Sequence, residues 1–317
     1  MRALRRLAPL AAALLFLGPV LADDAATEKR IFWKISSDEG SVYLVGSVHM
    51  GNKSMKMPKE VDEAFDKSTS LVVEVDPAKA QDPQILQKMQ EKMSYGADDS
   101  LDKHISAETY KSILDFYQEN GIPESALKKQ RPWVVSLMVT VISFKKAGFD
   151  ADNGIDKKFI EKAKKKDKKI DELETAEFQL ELLADMKDDI AEKGIKKSLA
   201  EQDKTADDIK DMIAAWKAGD AKKLDEICSR EVKKDKELEP FWKKLVDDRN
   251  VKMAEKIEGF LKEKGPTFVC VGAMHCVGEK GIVSILEKTG KYKIEQVKVT
   301  PLPTKKEEKE PAGSGAR

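Results

Sequence analysis

Two apolar, β-branched runs in this chain end in the same way. Val42–Val45 leads through Gly46 to His49 in VYLVGSVHMG, and Thr267–Val271 leads through Gly272 to His275 in TFVCVGAMHCVG. A third run, SLVVEVD at Ser70–Asp76, is built alike. Runs that are apolar on both faces read as strands buried between two covering layers. IFWKIS and SVYLVGS, separated by SDEG, form a hairpin signal. KKIDELET reads as a short strand and turn, and KYKIEQVKV as a last strand.

Helical spacing fills most of the rest. PKEVDEAFDKS, Gln84–Met93, Ser106–Asn120, Trp133–Ala147 and NGIDKKFIEKAKKKDK all carry apolar residues at that spacing. From Ala176 to about Gly265 the pattern is helical throughout, with breaks expected near Gly194, Gly219 and Pro240. Strands therefore cluster toward the two chain ends and helices occupy the middle. The economical architecture is one α/β domain over 23–303, with a sheet drawn from both ends and a large helical insertion at about 80–265. Neither end holds enough strands to close a core by itself.

The first 22 residues stand apart. MRALRR is basic, LAPLAAALLFLGPV is apolar, and VLA precedes DDA, which predicts a secretory signal peptide cleaved after Ala22. An uncleaved anchor is the alternative. The reading places the mature chain in the periplasm or outside the cell, without stable membrane insertion. The tail at 304–317 is polar, contains Pro and Gly, and is expected to be disordered. Lys plus Arg and Asp plus Glu both number 57, so no net field draws the chain to nucleic acid. The Lys-rich helical segments read as solvated faces. Three cysteines, Cys228, Cys270 and Cys276, imply no disulfide framework. Cys276, beside His275, could face a site.

Both His49 and His275 fall just past the C-terminal end of a buried strand, the edge where open α/β sheets bind ligands. If the two strands are close in one sheet, both imidazoles open into one crevice. Imidazole is a metal ligand and a general base near neutral pH. Glu74 interrupts a run of Leu and Val, so it is either paired or metal-bound inside, or on an edge strand facing water. Asp76 lies on the same strand face but precedes Pro77, which suits a turn. Glu172 and Glu174 flank Leu173 at a strand end. Arg249 and Asn250 lie on a helix, where Arg249 could stabilise an oxyanion, grip a substrate carboxylate, or pair with Asp247 or Asp248 at the surface. His104 precedes a helix start and is not expected in the chemistry. The chain has no HExxH, P-loop, GxSxG or CxxC signature.

Taken in order, YLVGSVHMG, LVVEVD, RPW, GIDKKFIEKAKKKDKKIDELET followed by EFQLELL, RNVKMAEKI, and FVCVGAMHCVGEKGIVSILEKTGKYKIEQV resemble the TraB/PrgY/GumN family, from about Ile31 to Val299. The resemblance implies a mixed sheet flanked by helices, similar to erythromycin-esterase and haem-binding ChaN-like proteins. It also implies the metal-dependent protease activity described for Tiki-like members. By motif, His49 and His275 are its GxxH pair, Glu74 its strand acid, Arg249 and Asn250 its RN pair, and Glu174 the acid of its LET segment. Cys276 departs from the apolar residue common at that position. The implied function is an exported hydrolase acting on a peptide or protein substrate. His49, His275 and Glu74 would hold a divalent ion, Mn, Co or Zn, and Glu74 could instead serve as general base. The other functions open to the chain are a non-enzymatic haem- or peptide-binding protein of the same fold, and a catalytically silent member that acts through partners.

Overall fold

The computed structural model describes residues 27–302. The expected signal peptide at 1–22 and the tail at 304–317 lie outside the described residues. No helix among the described residues is long and apolar enough to cross a membrane.

Six strands form one mixed sheet: β1 (Glu28–Ser36), β2 (Ser41–Ser47), β3 (Ser70–Val73), β4 (Lys169–Glu172), β5 (Pro266–Gly272) and β6 (Lys293–Val299). Their order across the sheet is β4-β3-β5-β2-β1-β6. The chain ends supply the strands as their placement in the sequence predicts, and β4 joins from within the helical stretch. β4, β3, β5 and β2 run parallel, while β1 pairs antiparallel with both β2 and β6. The hairpin β1–β2 is the expected one.

The burial pattern explains the composition of each strand. β3 and β5 are central, covered on both faces, and almost wholly buried. The outer strands β4 and β6 carry Lys, Asp and Glu, which leaves both sheet edges charged rather than sticky. On one face Phe268 of β5 meets Phe65 and Phe159, with ring centres 5.3 and 4.7 Å apart, which fastens the helices Lys59–Lys67 and Ile155–Lys165 to the sheet. The helix Gln202–Lys217 is tied to β2 by the Trp216 indole, which donates to the Gly46 carbonyl at 2.7 Å. A separate apolar cluster, including Ile113, Tyr117, Val135, Val139 and Ile195, holds the outer helices together.

One expectation from the glycines is corrected. Gly194 does not break a helix; it lies inside Asp188–Ala200. A side chain there would sit 3.7 Å from the Ser136 hydroxyl, so Gly194 allows close approach to the neighbouring helix Pro132–Lys146 at a modest propensity cost. Gly46 is part of β2 itself. A Cβ at Gly46 would fall 2.2 Å from Ile31 Cγ2 and 2.9 Å from Ala273 Cα, so the residue is fixed by crowding.

Candidate active site

The parallel strands bring four chain segments to one edge of the sheet. β2 and β5 are direct neighbours, with Ser47 opposite Gly272. The segments that follow them carry His49 and His275. β3 and β4 are also neighbours, and their ladder continues past both strands: Leu173 N–H donates to Val73 O at 2.9 Å, and Glu174 N–H donates to Glu74 O at 2.8 Å. The two glutamates therefore leave the sheet side by side. The strand ends bring both histidines toward Glu74, but the crevice expected to take both imidazoles is lined by His49 alone of the two; His275 is buried behind it.

Glu74 is the centre. It is 9% exposed and directly follows β3, an interior strand, which removes the water-facing edge reading. Gly272 N–H donates to its Oε1 at 2.5 Å, and Arg249 Nη2 donates to its Oε2 at 2.8 Å. Burial by itself would raise the carboxyl pKa, but interaction with His275, His49 and Arg249, together with the Gly272 N–H, pulls it down to about 2. Both imidazoles turn Nε2 toward this carboxylate, His49 at 3.8 Å from Oε1 and His275 at 3.9 Å from Oε2.

Each imidazole is fixed from behind. His49 Nδ1 lies 3.0 Å from Asp156 Oδ2, and His275 Nδ1 lies 2.6 Å from Asn250 Oδ1. The Asn250 amide is oriented because its Nδ2 donates to the Lys280 carbonyl at 2.8 Å. His275 Nδ1 must then carry the proton, which leaves a lone pair on Nε2 facing a carboxylate. The two rings differ in charge. Burial lowers the pKa of His275, so it is neutral near pH 7. At His49 desolvation opposes the charge, yet the hydrogen bond to Asp156 and the charges of Glu74 and Asp156 outweigh it and raise the pKa to about 9. The His49 ring is 60% exposed at the cleft mouth, so solvent screens part of that rise.

Arg249 is buried, and most of its donors are committed. Its Nε and Nη2 hold Glu174 at 2.7–3.1 Å, Nη2 also reaches Glu74, and Nη1 donates to Leu245 O at 2.9 Å. That carbonyl belongs to a π-turn, Lys243–Asp247, which precedes the helix Asp248–Phe260 carrying Arg249 and Asn250. The surface ion pair with Asp247 or Asp248 does not form; those carboxylates pair with Lys280 and Lys243.

Other residues fall outside the cleft. Asp76 caps a turn by accepting from Ala78 N–H at 3.0 Å, and Glu172 pairs with Lys79 at 2.8 Å. His104 lies between Asp99 and Asp188, stacked on Tyr95. Cys276 is 1% exposed, and burial pushes its thiol pKa far up, so it presents no thiolate to the site. Cys270, not Cys276, is the cysteine that lines the cleft.

Sequence reasoning missed Asp156, Gln179 and Gly272. Gln179 Nε2 donates to Glu174 Oε2 at 3.0 Å and Glu74 Oε2 at 3.3 Å, bridging the two carboxylates opposite Arg249. At Gly272 a Cβ would lie 3.1 Å from Glu74 Oε1 and 3.4 Å from His49 Nε2, so the glycine keeps open the space between them.

Whether this set fits a divalent ion can be judged from its chemistry. Among the described residues no three His, Cys, Asp or Glu side chains are already drawn together as ligands. The residue types are nevertheless those of a metal site: a carboxylate, two imidazoles with Nε2 turned inward, and an outer acceptor on each Nδ1. A lone pair facing a carboxylate is repulsive unless a cation lies between. The His–Glu separations are too long for hydrogen bonds and within about half an ångström or so of the spacing of two ligands on one ion.

An α/β protein with a polar cleft at its parallel strand ends is what fold and site define. The chain belongs to the TraB/PrgY/gumN family, which matches residues 31–296. It is 25% identical over 248 residues to the uncharacterized protein YbaP of Escherichia coli (strain K12), covering 77% of this chain and 87% of that protein. The uncharacterized YbaP of Shigella flexneri matches to the same extent. No solved structure matches.

Proposed function

We propose that the chain is a metal-dependent hydrolase working in this cleft on peptide bonds. The observation that supports it most is the turning of both Nε2 atoms toward Glu74 while Asp156 and Asn250 hold the two Nδ1 atoms. A divalent ion held by His49, His275 and Glu74, with Mn, Co and Zn as candidates, would supply an acidified water and a polarised carbonyl.

The residues divide the remaining work. Arg249 holds Glu74 and Glu174 in place; with its donors engaged it acts as a positioning residue rather than as a grip on substrate. Asn250 fixes the His275 tautomer. Asp156 orients His49, which sheds a proton when its Nε2 becomes a ligand. Glu74, ionised and held by Gly272 N–H, is the proton acceptor nearest the cleft if it is not itself a ligand. Three carboxylates, Glu74, Glu174 and Asp156, face Arg249 and the His49 imidazolium, leaving the cluster one negative charge to offer a cation.

The peptide class of substrate rests on the resemblance to Tiki-like members. Action in the periplasm or outside the cell rests on the basic-then-apolar start of the chain. Haem binding has less support, because the cleft is about 190 Å³ and His275 is 4% exposed. Calorimetry tests the proposal. The metal-stripped chain should bind Mn, Co or Zn, and His49→Ala and His275→Ala should each abolish binding and the hydrolysis of unfolded casein. Binding unchanged in either variant would sink the shared site.

A further inference from the structure

A second cavity lies not at the cleft but on the other side of the Asn250 wall. Its volume is about 780 Å³, within the range typical of sites for organic molecules. Trp242, Val232, Val246 and Met274 give it an apolar lining.

The charge around it is uneven in effect. Four carboxylates and three lysines line it. Each lysine is already engaged: Lys280 by Asp247, Lys233 by Asp225 and Lys243 by Asp248. Glu239 is matched by Lys236, and Glu279, exposed at the rim, makes no ion pair among the described residues. The unmatched charge is therefore negative. The half-buried Trp242 adds a ring face that favours a cation. An apolar body bearing one ammonium group matches this lining; an anion does not.

The walls are the same elements that position the cleft residues. Asn250, 1% exposed, lines the cavity and joins the Lys280 carbonyl on one side to His275 Nδ1 on the other. The π-turn Lys243–Asp247 forms another wall, and its Leu245 carbonyl holds Arg249. A molecule seated there presses on both supports.

We propose that this cavity is a second binding site, separate from the cleft, for a small apolar amine such as the amino end of a short peptide. Its occupancy reaches His275 through Lys280 and Asn250. The inference stands apart from the hydrolase reading, since neither metal nor turnover enters it.

Trp242 reports on the cavity directly. The other tryptophans, Trp33, Trp133 and Trp216, are buried, so a change in emission on ligand addition follows Trp242. The full chain would be titrated with leucyl-leucine amide and with its N-acetylated form, alongside Val232→Arg, which fills the cavity with a cation, and Trp242→Phe. All variants would first be checked for a cooperative thermal transition. The free amine should give a saturable emission change, absent in Trp242→Phe, and calorimetric binding lost in Val232→Arg. The acetylated form should bind about tenfold more weakly, the loss expected for one charge-assisted contact. Imidazole resonances of His275 should shift with the free amine and not in Val232→Arg. No saturable change, equal affinity for both forms, or binding retained in Val232→Arg would overturn the site. Binding without a shift at His275 would overturn the coupling.

Discussion

Arg249 lets two buried carboxylates share one cation. Removing it leaves Glu74 and Glu174 side by side without a counter-charge, so Arg249→Gln should lower unfolding free energy by about 3–5 kcal/mol in denaturant titrations. Arg249→Lys should recover only part of this, because an ammonium cannot reproduce the fork that reaches both acids. Gly272→Ala makes the opposite kind of test. The backbone at Gly272, φ −52° and ψ 134°, suits any residue, so the added methyl disturbs only the space between Glu74 and His49. Thermal stability should stay near wild type while metal affinity falls at least about tenfold. A variant that binds metal normally would show that the ion does not sit there. At this scale the sequence was a partial guide. His49, Glu74, His275 and Glu174 stood out because polar residues at the ends of apolar runs are conspicuous. Asp156 looked like an ordinary first-turn helix acid, and Gln179 like any polar residue in EFQLELL. What distinguishes them is where the fold carries them, and no local pattern records that.

Elements reach the cleft by different routes. The strands were legible because a buried parallel strand leaves an unbroken Val, Leu and Ile signature. Helix boundaries were less so, as Gly194 illustrates: a glycine that packs against a neighbouring helix looks the same as one that ends its own. The π-turn had no sequence signal at all, although it places Arg249 and Asn250. One outer helix is fixed by a capping network. Glu192 accepts from Ser106 N–H at 3.0 Å, Ser106 Oγ at 2.6 Å and Thr109 Oγ1 at 2.7 Å at the start of Ala107–Glu119. Burial works against its charge, but these bonds and Lys196 bring the pKa down to about 2 from 4.5. A depressed carboxyl pKa stabilises the fold above the unfolded value and loses that contribution as pH falls through the folded one. Glu192→Gln should therefore destabilise by about 1–2 kcal/mol at pH 7, and the gap from wild type should close between pH 4.5 and 2. A gap that persists at the acid end would assign the effect to packing.

For the whole molecule, the titrations of Glu74 and His49 pull in opposite directions. Glu74, with a pKa near 2 against 4.5 unfolded, adds stability above 4.5 that is lost toward pH 2. His49, raised from 6.5 to about 9, adds stability in full below 6.5 that is lost as pH rises toward 9. The metal-free chain should thus melt highest on the mildly acidic side of neutral. An ion that takes His49 Nε2 must displace its proton, so affinity should climb from pH 6.5 to 9 and each binding event should release a proton to buffer. Calorimetry in buffers of different ionisation enthalpy reads that proton directly. A pH-independent affinity would remove His49 from the ligand set.

The pairing of Glu28 with Val299 places the first and last strands of the described fold next to each other. Synthesis runs in one direction, so a growing chain acquires His49 and Glu74 before the long helical stretch, and His275 and β6 only after it. Until then β1 has an unpaired edge and the cleft lacks its second imidazole. A chain cut short before β5 carries half a reactive centre and an incomplete sheet. If the molecule cuts peptide bonds, its own architecture delays that capacity until β5 has been made, a safeguard written into the order of the strands.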